Sequence, residues 1–527
     1  MRFRIPAVLA LMSLSASVMA QKADFKYVQD ANPYLTSSNA AGLGRYNEPQ
    51  VSLVELGFLK DNGGLVGIDG SDDDWKAELG TESYVRISDR IAFWGRLSYS
   101  YFKGKNMGGQ MLMVPDFNPV NFIESSDTTL GFKSRETYSL AGGLAYSFND
   151  RWSAGVKAEY SAGEMVKTKD PRYRNEMMDM DLSAGVMYSP TDLVSIGLSG
   201  IFRNRVEQLM AHIYGVTDKQ YYAITDKGGF LGAKPELIEG DYNFVSASSF
   251  RPMANTFYGA ALQFEIGRDV RLYNEFKYLV RSGYYGKKSS SSPVFFEFGG
   301  SVLEYSGDLI VKGSDKLRRI HLDASMQKID NNENSLRYTT QQGQNTVVEY
   351  LGQNKILSRT DLAANLKYDA YLGTSGIRPS FVYGVNASLF SRDQMTTLYP
   401  SYRKHSRTQI GAGAYGRKNF PVKSGMISLR AEASYLTGFG VAAEDGSFVP
   451  GASAKVVSFD TWMNRQFEYE TAGRVGAGVE LGYTFFFKKG MAAFVRVSDN
   501  FTRLLTEPQY LKSAQRNSLL IAVGLNF

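Results

Sequence analysis

The 527-residue chain has no cysteine, three histidines and 15 prolines. Past its first twenty residues it has no apolar run near the ~20 residues that a membrane-spanning helix needs. Without cysteine, no disulfide can brace an exported fold. A lipid anchor on a cysteine is excluded as well. His212, His321 and His405 have no metal-ligand spacing, and no phosphate loop, zinc motif or dinucleotide fingerprint is present. His321 and Asp323 resemble a base and its orienter, but Ser325 lies four residues from His321 along a strand, ~13 Å away. That is beyond the reach of a nucleophile–base pair, so the expectation is that the protein is not an enzyme. Charge is mixed, with 59 Lys and Arg against 53 Asp and Glu. A balance of that kind is no footprint for nucleic acid. Mean hydropathy is −0.26, a value that suits a soluble chain. It is also what strands give when apolar and polar residues alternate.

Aromatics and glycine are abundant: 33 Tyr, 32 Phe and 52 Gly. Aromatics favour strands and membrane interfaces. Arg2 and Arg4 precede the apolar run Ala7–Met12, and Val18-Met19-Ala20 precedes Gln21. This predicts a signal peptide over residues 1–20, cut after Ala20. Residues 21–49 are rich in turn formers and lack a strand period, and are expected to form a periplasmic leader or a small plug.

Residues 50–527 then repeat one pattern, in which an alternating strand meets a short turn, a second strand and a longer loop. Ile91, Phe93, Gly95, Leu97, Tyr99 and Tyr101 alternate with Trp94, Arg96, Ser98 and Ser100. Tyr138 to Phe148 and Trp152 to Tyr160 repeat the pattern across Asn149-Asp150, with aromatics near the strand ends. Short turns fall at Ser88–Arg90, Asn149–Arg151, Ser189–Asp192, Gly267–Asp269, Gly313–Asp315, Gly373–Gly376, Asn419–Gly425 and Lys488–Gly490. Eight short turns separate nine hairpins, hence eighteen strands, with sixteen or fourteen as the alternatives. Longer loops centre on Gly63–Asp73, Gly104–Ser134, Thr168–Asn175, Ala211–Arg251, Gly286–Ser292, Asn331–Asn354, Gln394–Tyr402, Val441–Arg465 and Leu505–Ala514. The expected fold is all-β: a transmembrane antiparallel β-barrel with short periplasmic turns and long extracellular loops. Hydrocarbon leaves no backbone group unpaired, so the sheet must close.

The final stretch, Leu519 to Phe527, puts Leu519, Ile521, Val523, Leu525 and Phe527 on one face. It resembles the C-terminal signal strand that barrel insertion machinery reads in bacterial outer-membrane proteins. Together with the signal peptide, Asn32-Pro33-Tyr34, Ser38-Asn39-Ala40-Ala41-Gly42 and the repeated hairpins, it resembles an uncharacterised family of outer-membrane β-barrels from Bacteroidota. That resemblance implies integral residence in the outer membrane of a Gram-negative bacterium, in contact with lipid and lipopolysaccharide. It also implies an association with nutrient uptake, beside a TonB-dependent receptor or a surface lipoprotein. The Asn-Pro leader is similar to that of FadL-type fatty-acid transporters, which are fourteen-stranded with an apolar interior.

The lumen face reads differently here. Arg271, Glu275, Lys277 and Arg281 share one row, Arg319, His321 and Asp323 a second, and Arg359, Asp361, Lys367 and Asp369 a third. Glu468, Glu470 and Arg474 are expected in a fourth, on a strand from Phe467 to Phe487. Charges of both signs predict a wet wall and a pore or transport component for small polar solutes. The alternatives are a non-conducting accessory barrel and a hydrophobic-substrate transporter. Asp69, Asp72, Asp73 and Asp74 crowd the first long loop, where oxygen-rich segments can hold a structural calcium; no other cofactor is expected. Tyr214, Tyr221, Tyr222, Phe230, Tyr242, Phe244 and Trp462 are loop aromatics able to grip a ligand or partner.

Overall fold

The computed structural model describes residues 24–46, 50–124, 127–215, 221–232, 235–237, 245, 251–289, 292–339, 347–376, 378–487 and 491–527. Residues 1–20, expected as a signal peptide, Tyr242, Phe244 and residues 488–490, expected as a turn, lie outside the described residues. The chain forms an eighteen-stranded antiparallel sheet that closes on itself. The first half of the wall is β1 (Val51–Asn62), β2 (Asp73–Ser88), β3 (Ile91–Met107), β4 (Gly131–Ser147), β5 (Trp152–Lys167), β6 (Arg172–Thr191), β7 (Val194–His212), β8 (Arg251–Gly267) and β9 (Val270–Ser289). The second half is β10 (Ser292–Lys312), β11 (Lys316–Thr339), β12 (Val347–Leu372), β13 (Phe381–Leu398), β14 (Ser401–Val422), β15 (Gly425–Ser447), β16 (Arg474–Phe486), β17 (Ala492–Leu504) and β18 (Gln515–Asn526). Each strand pairs with its chain neighbours, and β18 pairs with β1 in register Leu56↔Val523. Phe527 finishes the seam: its carbonyl accepts from Ser52 N at 2.7 Å and its amide donates back at 3.0 Å.

Burial is inverted relative to a soluble protein. On β9, Leu272, Phe276, Tyr278 and Val280 are exposed on the outer face, while Tyr273, Glu275 and Arg281 are buried on the inner one. Leu519, Ile521, Val523 and Leu525 also face outward, and Ala522 is buried between them. Alternation of this kind suits lipid outside and a polar lumen inside. Near the short turns the outer face carries aromatic pairs, such as Trp152 on Tyr188 with centroids 4.4 Å apart.

Two expectations about loops are corrected. Much of Asn331–Asn354, half of Thr168–Asn175 and most of Gln394–Tyr402 is strand: β11 and β12 pair from Lys316↔Leu372 out to Thr339↔Val347. Their polar residues read as loop because both faces of the wall are polar there, yet the neighbouring strand still satisfies the backbone. The second correction concerns Glu468 and Glu470. They lie on an α-helix, Asp460–Thr471, and strand resumes only at Arg474. The alternation from Phe467 onward mimicked a strand, but Trp462, Met463 and Arg465 are buried on the inner side of this helix.

Candidate functional site

The lumen is filled from both ends. At the short-turn end, the leader forms a helix (Phe25–Ala31) and two 3-10 turns (Pro33–Leu35 and Ala40–Arg45) inside the barrel. Asp24 caps that helix by accepting from Lys26 N and Tyr27 N. Phe25, Val28, Leu35, Leu43 and Tyr46 pack on Tyr84, Ala92 and Trp94 of the wall. Glycine matters at one wall position, since a Cβ on Gly155 would lie 2.3 Å from Ala41 N.

Charged wall residues grip the leader. Arg319 Nη1 donates to Asp30 at 2.7 Å and Tyr371 OH to the same carboxylate at 2.6 Å. Arg417 Nη2 donates to Asp24 at 2.7 Å, and Arg271 to the Ala31 carbonyl. Burial pushes the Asp24 carboxyl up, but Arg417, Arg378 and the Tyr27 amide outweigh it and hold it below the usual range. Glu275 accepts from Ser37 Oγ at 2.7 Å and from Tyr273 OH at 3.0 Å. Asn39 Nδ2 donates to Gln263 Oε1 at 2.9 Å.

At the other end the long loops fold inward as a cap. Residues 121–124 pair with 223–226, and 231–232 with 457–458. Ile68, Ile123, Ile224, Phe230, Trp462 and Met463 form the apolar centre of the cap. Phe230 and Trp462 are therefore buried structural residues, not exposed gripping aromatics; Tyr214 is exposed. Gly228 and Gly229, both at positive φ, turn the chain beneath Asp226. Burial lifts the Asp226 carboxyl to about 6, against the backbone donors Gly228, Leu231 and Phe230. Asp69, which accepts from Gln110 N at 2.9 Å, is likewise lifted by burial to about 6.

The acidic cluster of the first long loop is drawn apart. Asp72 meets Lys512, Asp73 meets Lys60 and Lys105, and Asp74 meets Arg516. Among the described residues no group of three or more His, Cys, Asp or Glu is placed to hold a metal ion.

The tip of the cap, Pro115–Pro119, hangs into the lumen on a belt of arginines. Arg392 Nη1 meets Asp116 Oδ1 at 2.8 Å, and Arg407 Nη2 lies 3.8 Å from Oδ2. Arg359 donates to the Asn118 and Asp116 carbonyls at 3.3 and 3.1 Å, and Arg281 to the Phe117 carbonyl at 2.8 Å. The Phe117 ring has guanidinium carbons of Arg205 and Arg281 at 4.2 and 4.5 Å from its centroid. Burial raises the Asp116 carboxyl, but Arg392, Arg407 and Arg359 prevail and hold it at about 2. Asp361 pairs with both Arg392 and Arg359, and Glu470 pairs with Arg407. Glu468 accepts the amides of Gln509, Tyr510 and Leu511, away from the belt. Arg474 donates to the Tyr469 carbonyl at 2.8 Å.

Against the leader, inside the barrel, lies a cavity of about 630 Å³. Its floor is Pro33 and Thr36–Ser38; its wall includes Lys157, Glu159, Asp181, Lys277, Glu304, Asp308 and Asp323. Lys157 pairs with Glu159 and Lys277 with Glu304. His321 bridges Asp308 at 2.9 Å and Asp323 at 2.8 Å, so it is held between two carboxylates. Lys367 pairs with Asp369, which also accepts from Tyr415 OH. A second hollow of about 300 Å³, lined by Asn386, Tyr415, Arg430 and Glu432, indents the opposite wall.

The fourteen charged residues expected at the lumen thus divide by task. Arg271, Glu275 and Arg319 hold the leader. Arg281, Arg359, Asp361 and Glu470 serve the belt. Lys277, His321, Asp323, Lys367 and Asp369 line or back the cavity, while Glu468 and Arg474 brace the mouth. Sequence reasoning missed Asp30, Asp116, Arg392 and Arg407. Arg392 and Arg407 each sit among polar neighbours, and nothing in the spacing of residues 108–130 foretells a turn back into the lumen.

The chain is thus a closed eighteen-stranded antiparallel barrel with an apolar outer wall and a polar, occupied lumen. The chain belongs to the family described as "Family of unknown function (DUF6850)", whose model matches residues 40–527. Solved structures to which the chain is similar include BauA, the ferric preacinetobactin receptor of Acinetobacter baumannii, at 8% identity and TM-score 0.39, covering 91% of this chain and 80% of that one. The outer-membrane transporter YddB of Escherichia coli matches at 8% identity and TM-score 0.39, with 90% and 80% coverage. The unliganded ferric citrate transporter FecA matches at 9% and 0.38, with 91% and 79%.

Proposed function

We propose that this protein is an integral outer-membrane barrel of a Gram-negative bacterium that passes small polar solutes through a lumen closed at both ends in the resting state. The observation that carries the reading is the cavity of about 630 Å³ inside the barrel, floored by the leader and walled by ion-paired strand residues. That volume lies in the range of small-molecule sites, ~300–1,000 Å³. A wall of charge favours hydrated solutes over acyl chains, which argues against the FadL-like alternative. The short turns then face the periplasm, the cap faces outward beside lipopolysaccharide, and the last strand carries the assembly signal. The resemblance of leader and hairpins to barrels of Bacteroidota stays part of this reading.

A second reading has one observation in its favour: both ends are closed. A non-conducting accessory barrel, docked to a TonB-dependent receptor or a surface lipoprotein, would look the same at rest. Planar-bilayer recording separates the two. The intact barrel is expected to be silent. Removing residues 22–48 and replacing 111–120 by a short Gly-Ser linker in the same molecule should open a conductance, which either change alone should not. If the doubly trimmed barrel inserts and stays silent, transport through this lumen is refuted and the accessory reading takes its place.

A further inference from the structure

The arginine belt includes buried guanidinium groups that its acids do not all reach. Arg203, Arg205, Arg281, Arg359, Arg392 and Arg407 surround Asp116 and Phe117, against Asp179, Asp361, Asp116 and Glu470. Arg281 is the extreme case. It is 1% exposed, and its nearest partners are the Asn255 side chain, the Phe117 carbonyl and aromatic faces. Its Nη1 has no hydrogen-bond partner among the described residues, and neither has Nε of Arg407, which is buried too. A buried cation without a counter-charge is costly unless something else compensates it. The compensation present here comes from the cap tip, which supplies one carboxylate, three carbonyls and one ring. Beside it, Asp116, Arg359, Arg392, His405 and Arg407 line a further hollow of about 70 Å³.

We propose that the belt is an oxyanion-binding site, and that Asp116 with its carbonyls occupies it as an internal stand-in for a small carboxylate- or phosphate-bearing solute. Planar guanidiniums in a fixed fork match carboxylate and phosphate oxygens. A free anion that reaches Arg392 and Arg407 competes with Asp116, so binding and release of the cap are the same event. A ligand shifts such an equilibrium only through its differential affinity for the open form. Removing Asp116 therefore strengthens anion binding, because the internal competitor is lost. This inference deepens the transport reading by naming the charge class admitted at the outer gate, and it rests on that reading for its physiological sense.

The test is calorimetric titration of the purified full chain in detergent with succinate, inorganic phosphate and glucose. Asp116→Ala should bind succinate at least tenfold more tightly than the unaltered protein, and glucose should bind to neither. Phosphate in place of succinate shows which oxyanion geometry the belt prefers. Adding Arg392→Gln and Arg407→Gln to Asp116→Ala should abolish the gain. Heat-modifiable gel mobility verifies that each variant is folded. Should the double arginine change fail that check, succinate-dependent cleavage of the unaltered protein by chymotrypsin at Phe117 or Phe122 gives the same information, with acceleration expected. Equal binding of succinate and glucose, or no gain in Asp116→Ala, or cleavage indifferent to succinate, would overturn the site. These outcomes are independent of the bilayer recording, which decides transport whether or not the belt binds anions.

Discussion

The leader is held to the wall largely by charged and polar groups, whereas the cap is seated on the wall by apolar packing and meets the arginines at its tip. From Asp24 to Tyr46 the leader meets ion pairs, wall hydroxyls and an apolar cluster in turn. The cap has an apolar centre of its own and an apolar seat on the wall, where Met111, Met113, Val120 and Phe122 cluster with Tyr173, Leu209 and Tyr285, and its tip Pro115–Pro119 engages the arginines. The bonds along the leader would have to fail together. The tip, held by one carboxylate, three carbonyls and a ring, can let go of these polar contacts while the apolar base stays folded. The difference assigns a static role to the inner insert and a moving role to the outer one.

The strongest way to break that comparison is Arg319→Ala. Asp30 and Asp308 are both 2% exposed at the side chain and share this guanidinium. Stranding a buried charge costs ~3–5 kcal/mol; Asp30 keeps Lys26 and Tyr371 and Asp308 keeps His321, so the expected loss falls toward the lower end. Hydrogen exchange over residues 25–31 should accelerate, with the cap unaffected; unchanged protection would mean that the apolar cluster alone holds the leader. Gly155→Val acts on the same insert by overpacking, at about 1–3 kcal/mol, because its Cβ meets the Ala41 backbone. Proteolysis near Ala40–Arg45 reads that effect, and an unchanged digestion pattern would show that the leader can shift aside.

Asp116→Ala is expected to be milder. The Asp116 side chain is 61% exposed toward the lumen, so its pairs are partly screened, and Arg392 keeps Asp361. About 1–2 kcal/mol of local cap stability should go, between the exposed and buried extremes. Spin labels placed on the cap tip should gain mobility while labels on residues 25–31 do not. Equal loosening of both inserts would erase the distinction between them.

The wall was legible in the sequence because period two survives wherever one face meets lipid and the other meets polar groups. Val270 to Arg281 is such a stretch, and its inner and outer rows fall as the alternation requires. The turn at Ser88–Arg90 was legible for a similar reason, since turn chemistry is local. The inserts were not. Asp30 and Arg319 are 289 residues apart, and Asp116 and Arg392 are 276 apart. Pairing at such separations depends on closure of the barrel, which no local pattern encodes. The helix at 460–471 was lost for another reason: its buried residues face a cap made by three other loops, so its own pattern gives a weak period.

The last expected effect is on pH, and here the two inserts should again part. Asp69 and Asp226 in the cap have carboxyls raised to about 6, above the unfolded value of 3.8. The folded cap binds protons more readily than the unfolded one between those values. Its stability therefore falls as pH rises from about 4 to about 6 and is level above. Asp116, held at about 2, works the other way. Its contribution is complete above about 4 and is lost as pH falls toward 2. Together they place the firmest cap near pH 4–5, looser at 7 and looser again near 2. Asp24, lowered by Arg417 and Arg378 against burial, gives the leader only the acid-side loss. Hydrogen exchange corrected for its intrinsic rate should show residues 109–124 and 222–231 better protected at pH 4.5 than at pH 7, and residues 25–31 unchanged between the two. Asp69→Asn and Asp226→Asn should each flatten the cap profile above pH 4. A cap equally protected at pH 4.5 and 7 would mean that these carboxylates reach water, and that the outer gate does not respond to proton concentration.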